Sequence, residues 1–201
     1  MASAACGDMS DHLVDFDRYG RITASIVGAI TRTDPYHSRK YAWRVVMGLE
    51  PEKDPGKDAL RGIEHEIDAL SELEIETGQL VYEGRFVKHP TIDWLGSSPD
   101  GFIFSTVHNC LVPVECKCPR EFYPEIPRHY YEQLQMQIQC LDAAAGMFVE
   151  WTPDGIRYAL YEPDVEWWNQ TYPVLKDFYE QYVMTATEPP RSPRRKKDGS
   201  D

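Results

Sequence analysis

No apolar run in this chain approaches the roughly 18 residues that a membrane-spanning helix needs. A helical membrane protein is therefore not expected. The stretch from Met1 to Met9 has neither a basic start nor a long apolar segment, so it lacks the pattern of a signal peptide and reads as a loose leader over 1–12. Cysteine is sparse and odd in number: Cys6, Cys110, Cys116, Cys118 and Cys140. An odd count without a secretory signal points to reduced thiols inside a cell and against a disulfide scaffold. Cys116-Lys117-Cys118 lacks the two-residue gap of a zinc knuckle. A buried thiol is the plain reading for Cys116, and a metal or iron–sulfur cluster the alternative. Positive charge is short as well. With 33 acidic and 21 basic residues the formal net charge is −12, an awkward balance for a nucleic-acid binder. Local distribution matters more than the sum. The run from Arg191 to Lys197 concentrates basic residues in a tail, where a solvated end and a phosphate contact both fit. There is no internal repeat.

What is present is enough for one folded domain. Of the 201 residues, 42% are apolar, which sets the chain apart from disordered sequences. A single domain over 1–188 is expected, with a flexible basic tail at 189–201. Helical spacing predicts helices from about Thr23 or Ser25 to Ile30, over 39–48, and over 57–76, the last carrying Leu60, Ile63, Ile67, Leu70 and Leu73 on its apolar stripe. A polar break at 51–56 separates the second from the third, and Gly78 ends the third. Strands are expected at 80–86 and 93–97, then a hairpin of 102–106 and 110–117 turning at His108-Asn109. A long helix over 127–145 closed by Gly146, strands at 147–152 and 156–162, and a helix over 165–184 complete the pattern. Helices bracketing a block of strands make an α/β domain with a mixed central β-sheet flanked by helices.

The hairpin carries the strongest chemical signal. Ser98-Pro99-Asp100-Gly101 precedes it, and Val114-Glu115-Cys116-Lys117-Cys118-Pro119 ends it. Side chains on a strand alternate, so Glu115 and Lys117 point the same way while Cys116 points into the core. The hairpin can return Glu115 to Asp100. Two carboxylates side by side repel unless a cation lies between them, and hard oxygen ligands suit Mg²⁺ or Mn²⁺. A lysine beside that cation can orient a water or stabilise a charged, phosphorane-like transition state. That is chemistry for cutting a phosphodiester.

Other residues bear on the same site. Glu66, in Gly62-Ile63-Glu64-His65-Glu66, borders the apolar stripe of the third helix. It reads either as a snorkelling surface residue or as a third carboxylate. The long helix is rich in glutamine: Gln133, Gln135, Gln137 and Gln139. Tyr130, Gln133 and Gln137 form a polar stripe apart from the apolar one through Leu134, Ile138, Leu141 and Ala145. Such a stripe suits phosphate or sugar oxygens, or is simply a polar surface. Arg18 precedes a helix start rich in hydroxyls, Thr23 and Ser25, where phosphate binding and ordinary capping fit equally.

Five motifs stand in order: Arg-x-Gly-x-Ile-Thr-Ala-Ser at 18–25, Gly-x-x-x-Glu at 62–66, Ser-Pro-Asp-Gly at 98–101, Glu-x-Lys-Cys-Pro at 115–119 and Tyr-x-x-Gln-x-Gln at 130–135. Each is weak alone. Together they resemble the phage lambda exonuclease family of viral-type alkaline exonucleases, within the PD-(D/E)XK nuclease superfamily. The resemblance implies a restriction-endonuclease-like core, with Asp100, Glu115 and the Cys116 carbonyl as metal ligands. It implies that Lys117 assists the attacking water and that Glu66 serves a second metal position. Arg18, Ser25, Ser98 and Gln133 would grip a terminal 5′-phosphate, with Tyr130 and Gln135 in support. The implied cofactor is Mg²⁺, with Mn²⁺ as a substitute. The implied substrate is linear double-stranded DNA, digested from the 5′ end by a ring-shaped trimer that leaves a 3′ strand for a single-strand annealing protein. The implied setting is the cytoplasm of a bacterial host, in a phage or prophage recombination system. Two alternatives remain: an endonuclease or repair nuclease of the same superfamily, and a non-catalytic DNA-end-binding protein.

Overall fold

The structure of the protein, a computed structural model, describes residues 18–49 and 57–190. The expected leader at 1–12, the polar break at 51–56 and the basic run from Arg191 to Lys197 lie outside the described residues. In chain order the elements are β1 (Ile22–Thr23), a 3-10 turn (Ala24–Ile26), α1 (Val27–Thr31), α2 (Arg39–Val46), α3 (Lys57–Thr77), β2 (Val81–Glu83), β3 (Val87–Lys88), β4 (Leu95–Ser97), β5 (Gly101–Ser105) and β6 (Cys110–Lys117). After them come α4 (Arg128–Leu141), β7 (Gly146–Thr152), β8 (Gly155–Tyr161), α5 (Val165–Phe178) and a π-helical turn (Tyr179–Val183).

The five-stranded sheet has the order β2-β5-β6-β7-β8. Only β6 and β7 run parallel, with Glu115 opposite Phe148; the other neighbours are antiparallel. Parallel neighbours cannot be joined by a hairpin, and here α4 is the crossover. A second, small sheet has the order β1-β4-β3. On one face of the large sheet, Ala69 and Leu73 of α3 pack against Ile103, Val112, Val114 and Met147. On the other, Leu134 and Ile138 of α4 pack against Phe148. The opposite side of α4 contributes Met136 and Cys140 to a further layer with Ile30, Trp43, Leu95 and Phe178. Because α4 is covered on both sides, Gln135 and Gln137 are buried, and buried amides must find partners. Among the described residues no helix is long and apolar enough to cross a membrane.

Local detail departs from the sequence reading in four places. First, α3 is rotated relative to its expected stripe. Ile67 is 75% exposed while Ala69 is fully buried. A small residue lets the helix approach the sheet closely, and this turns Glu66 toward the strand ends. Second, α4 stops at Leu141 because Asp142 takes a left-handed conformation at φ 48°. Gly146 instead begins β7, where an added Cβ would come within 2.8 Å of Leu134 Cδ1. Third, the expected strand at 80–86 is shorter. At Gly84 the chain crosses the Pro99 carbonyl so closely that a Cβ would lie 2.0 Å from it, and it then pairs with β4 as β3. Fourth, the last helix gives way to the π-helical turn after Phe178.

Candidate active site

The C-terminal end of β6 is where the charged residues meet. Alternation puts Glu115 and Lys117 on the face toward α4, and their side chains form an ion pair. Glu115 is fully buried, and its second oxygen accepts a hydrogen bond from Gln137 Nε2. Asp100 is fixed by the hairpin. Its N–H donates to the Val114 carbonyl at 3.0 Å, and its Oδ2 accepts the Cys116 N–H at 2.6 Å. The two carboxylates expected to converge therefore do so.

The electrostatics are those of acids crowded into a poorly solvated space. Burial pushes Glu115 up to about 7, and the nearby Asp100 adds to the rise. Burial likewise raises Asp100, against the pull of Lys117 and the Cys116 N–H. Burial would lower Lys117, but Glu115 and Asp100 outweigh it and hold the ammonium above its usual range. Glu66 is raised by burial and then by Asp100, so it shares the same field. Three carboxylates thus face one ammonium. Among the described residues no three His, Cys, Asp or Glu side chains close into a ready-made metal cage. The donor set is Asp100 and Glu115, with Glu66 beside them. Hard oxygens carrying uncompensated negative charge fit a divalent cation that keeps several waters. Cys116 is buried, as alternation predicts, and the Cys118 thiol and burial push its thiol far up.

Two cavities meet at these carboxylates, for Asp100 and Glu66 line both. The first, about 500 Å³, gathers Arg18, Ser25, Ser98 and Gln133. Arg18 donates to Ser98 Oγ, and its guanidinium lies 5.8 Å from the Phe86 ring centroid. The Ser25 and Thr23 hydroxyls lie 3.3 Å apart, with Ser25 in the 3-10 turn that leads into α1. The second cavity, about 650 Å³, holds Lys117 and Tyr130 together with Tyr36, Tyr123, Arg61 and Arg120.

Two expected supporting residues are placed elsewhere. Tyr130 lies in the second cavity, its ring centroid 5.0 Å from Lys117 Nζ, and not with Gln133. The two share a helix face but stand about 4.5 Å apart along its axis, enough to straddle the carboxylates. Gln135 does not join the site. It is fully buried, donates to the Glu162 carbonyl at 2.9 Å and accepts the Asp164 N–H at 2.8 Å. Two residues from Gln133 is about 200° around the helix, which aims it at the loop before α5. Gln137 points the way the polar stripe predicts, but it grips Glu115 and no ligand-facing space. Arg85 and Phe86 also line the first cavity; their signal in the sequence is a basic and an aromatic residue just after the strand-breaking Gly84. Tyr36, Arg61 and the pair Arg120 and Tyr123 come from three distant segments, and only the tertiary fold joins them.

Solved structures share this architecture. An alkaline exonuclease, LHK-Exo, from Laribacter hongkongensis superposes with a TM-score of 0.67 at 23% identity, over 84% of this chain and 92% of that one. The same protein in complex with dAMP gives 0.65 at 23% identity, with the same coverage. A phage related exonuclease from Haemophilus somnus 129PT gives 0.58 at 11% identity, over 83% and 96%. At these identities the likeness concerns the fold. No curated protein matches the sequence. The profile of the YqaJ-like viral recombinase domain matches residues 16–146, a span that holds the carboxylates, the lysine and the arginine-lined cavity, and by that match the chain belongs to the YqaJ-like viral recombinase family.

Proposed function

We propose that the protein is a metal-dependent 5′→3′ exonuclease that degrades one strand of linear double-stranded DNA from 5′-phosphorylated ends. The observation that carries this reading is the shared wall. The Arg18–Ser98 cavity and the cavity that holds Lys117 share Asp100 and Glu66, and Glu115 lies fully buried beneath them, paired with Lys117. An always-charged guanidinium braced by a serine hydroxyl suits a terminal phosphate. A phosphate held there sets the next phosphodiester beside the carboxylates, and a strand without an end cannot be seated in this way.

Asp100, Glu115 and the Cys116 carbonyl would hold Mg²⁺ or Mn²⁺, with Glu66 toward a second position. The ion would supply Lewis-acid stabilisation of the phosphoryl charge and a more acidic water. The chain's own groups do the positioning. Gln137 fixes the Glu115 carboxylate, and the Cys116 N–H fixes that of Asp100. Lys117, flanked by Glu115 and the Tyr130 ring, holds a full positive charge where the attacking water and the developing negative charge are placed. The acidic chain binds DNA through Arg18, Arg85, Lys117, Arg61 and Arg120, which line the groove. We further propose a closed trimer that concentrates these residues around DNA, in a bacterial cytoplasm, and a single-strand annealing protein as recipient of the 3′ strand.

Directionality tests the reading. Linear duplex labelled at the 5′ end should release labelled mononucleotide from the first turnovers. Duplex labelled at the 3′ end of the same strand should keep its label in long fragments. The opposite order of release would overturn the 5′→3′ assignment, and internal fragments from both would favour an endonuclease.

A further inference from the structure

The larger cavity has no part in gripping a terminal phosphate. It shares Asp100 and Glu66 with the Arg18 cavity, but Arg18, Ser25, Ser98 and Gln133 do not line it. Its volume of about 650 Å³ exceeds that of the phosphate-side cavity and falls in the range of small-molecule sites. Its composition is specific. Tyr36, Tyr123 and Tyr130 supply aromatic faces, and Arg61 and Arg120 supply cations. The aromatic side is built as a unit. Tyr36 meets the His129 ring edge-on at 6.1 Å, His129 lies 4.0 Å from Tyr130, and Tyr130 lies 5.8 Å from Tyr123. Tyr36 nonetheless remains 78% exposed, so one large aromatic face at the cavity mouth is left for a partner. Arg61 braces the opposite wall, donating to the Cys118 and Pro119 carbonyls just past the catalytic strand. Gly62 beside it carries no side chain into the space.

We infer that this cavity is a subsite for the second nucleotide of the digested strand, the one on the 3′ side of the bond being cut. Its base stacks on Tyr36, and the phosphate that follows is met by Arg120. The inference rests on the proposed direction of digestion. With the terminal nucleotide's 5′-phosphate on Arg18, its 3′ oxygen is the leaving group at the carboxylates. The strand then continues into the larger cavity, which adjoins the first at Asp100 and Glu66. Aromatic faces paired with cations are how single-stranded nucleic acid is held without regard to sequence, because every base has a π-face. The subsite has a use in repeated cutting. After each cut the second nucleotide carries the new 5′-phosphate, and a stacked base keeps the strand in the groove until that phosphate moves to Arg18.

The test uses the full-length chain and two probes, thymidine 5′-monophosphate and the 5′-phosphorylated thymidine dinucleotide, with Ca²⁺ replacing Mg²⁺ so that the dinucleotide stays intact. The dinucleotide should bind the unmodified protein about tenfold more tightly than the mononucleotide, as one stacked base and one added phosphate would give. Tyr36→Ala should remove most of that increment and leave mononucleotide affinity as it was; Tyr36→Phe should retain the increment. Arg18→Ala should weaken both probes together. If the mononucleotide binds in an Arg18-dependent way but the second nucleotide adds nothing, or if Tyr36→Ala leaves the increment intact, the subsite is wrong while the phosphate pocket stands. If neither probe senses Arg18, the end-directed reading fails, and the subsite falls with it.

Discussion

Glu115 is the residue on which function and stability pull in opposite directions. It is fully buried, it faces Asp100, and burial with that neighbour pushes it up to about 7 from 4.5. A carboxyl whose folded pKa is raised favours the folded state when protonated and works against it when charged. The cost is absent below about pH 4, sets in as pH rises through 4.5 and is fully present above about 7. In metal-free protein at pH 8, Glu115→Gln should therefore raise the melting temperature by about 3 °C or more, and the gain should shrink toward zero below about pH 4. The same substitution should lower cleavage at least about a hundredfold, because a charged oxygen donor is gone. Thermal melts of both proteins across pH, with chelator present, check the first part, and a rate assay checks the second. Equal melting temperatures at pH 8 would mean that Lys117 and Gln137 fully offset the buried charge.

At the scale of elements, the crossover helix α4 links the site to the rest of the fold, and its residues divide by helical angle. Gln133 faces the phosphate-side cavity, Gln137 holds Glu115, and Gln135 ties the helix to the start of α5. Gln135→Ala should cost about 2 kcal/mol of stability by leaving buried groups at Glu162 and Asp164 without a partner. It should not change the preference between 5′-phosphate and 5′-hydroxyl ends. Denaturant melts beside an end-preference assay check this, and a lost preference in a fully stable variant would return Gln135 to the DNA site. This division was only partly legible in the sequence. Strand alternation foretold that Glu115 and Lys117 share a face, and the hairpin foretold that Asp100 would join them, because both depend on local geometry. The motif order foretold the family. The rotation of α3 was hidden, since apolar spacing weights Ile67 above Ala69, whereas close packing on a sheet favours the smaller residue. The fate of each glutamine depends on what packs against each side of α4, and a single helix does not carry that information. The second cavity was invisible because Tyr36, Arg61 and the loop that carries Arg120 and Tyr123 are far apart in the chain.

For the whole molecule, a net charge of −12 must coexist with the proposed binding to a polyanion. Lining one groove with arginine and lysine reconciles the two, and a closed trimer would make dissociation topologically difficult. Light scattering should give the mass of three chains; a monomer that still digests processively would remove the ring and leave the site standing. Deleting residues 191–201 should weaken DNA binding and flatten its salt dependence without slowing the chemical step, since such contacts act by counterion release. Binding titrations over a salt series check that, and an unchanged slope would leave the tail a solvated end. The central claim is that cutting is directed by a terminal phosphate held on Arg18. Its most direct test is the initial rate on linear duplex bearing either a 5′-phosphate or a 5′-hydroxyl, with closed circles alongside, for the unmodified protein and for Arg18→Ala. The account expects phosphorylated ends to be digested at least about tenfold faster, circles to be spared, and the preference to collapse in Arg18→Ala. Circles nicked as quickly as linear duplex is shortened, or a preference untouched by loss of Arg18, would contradict it.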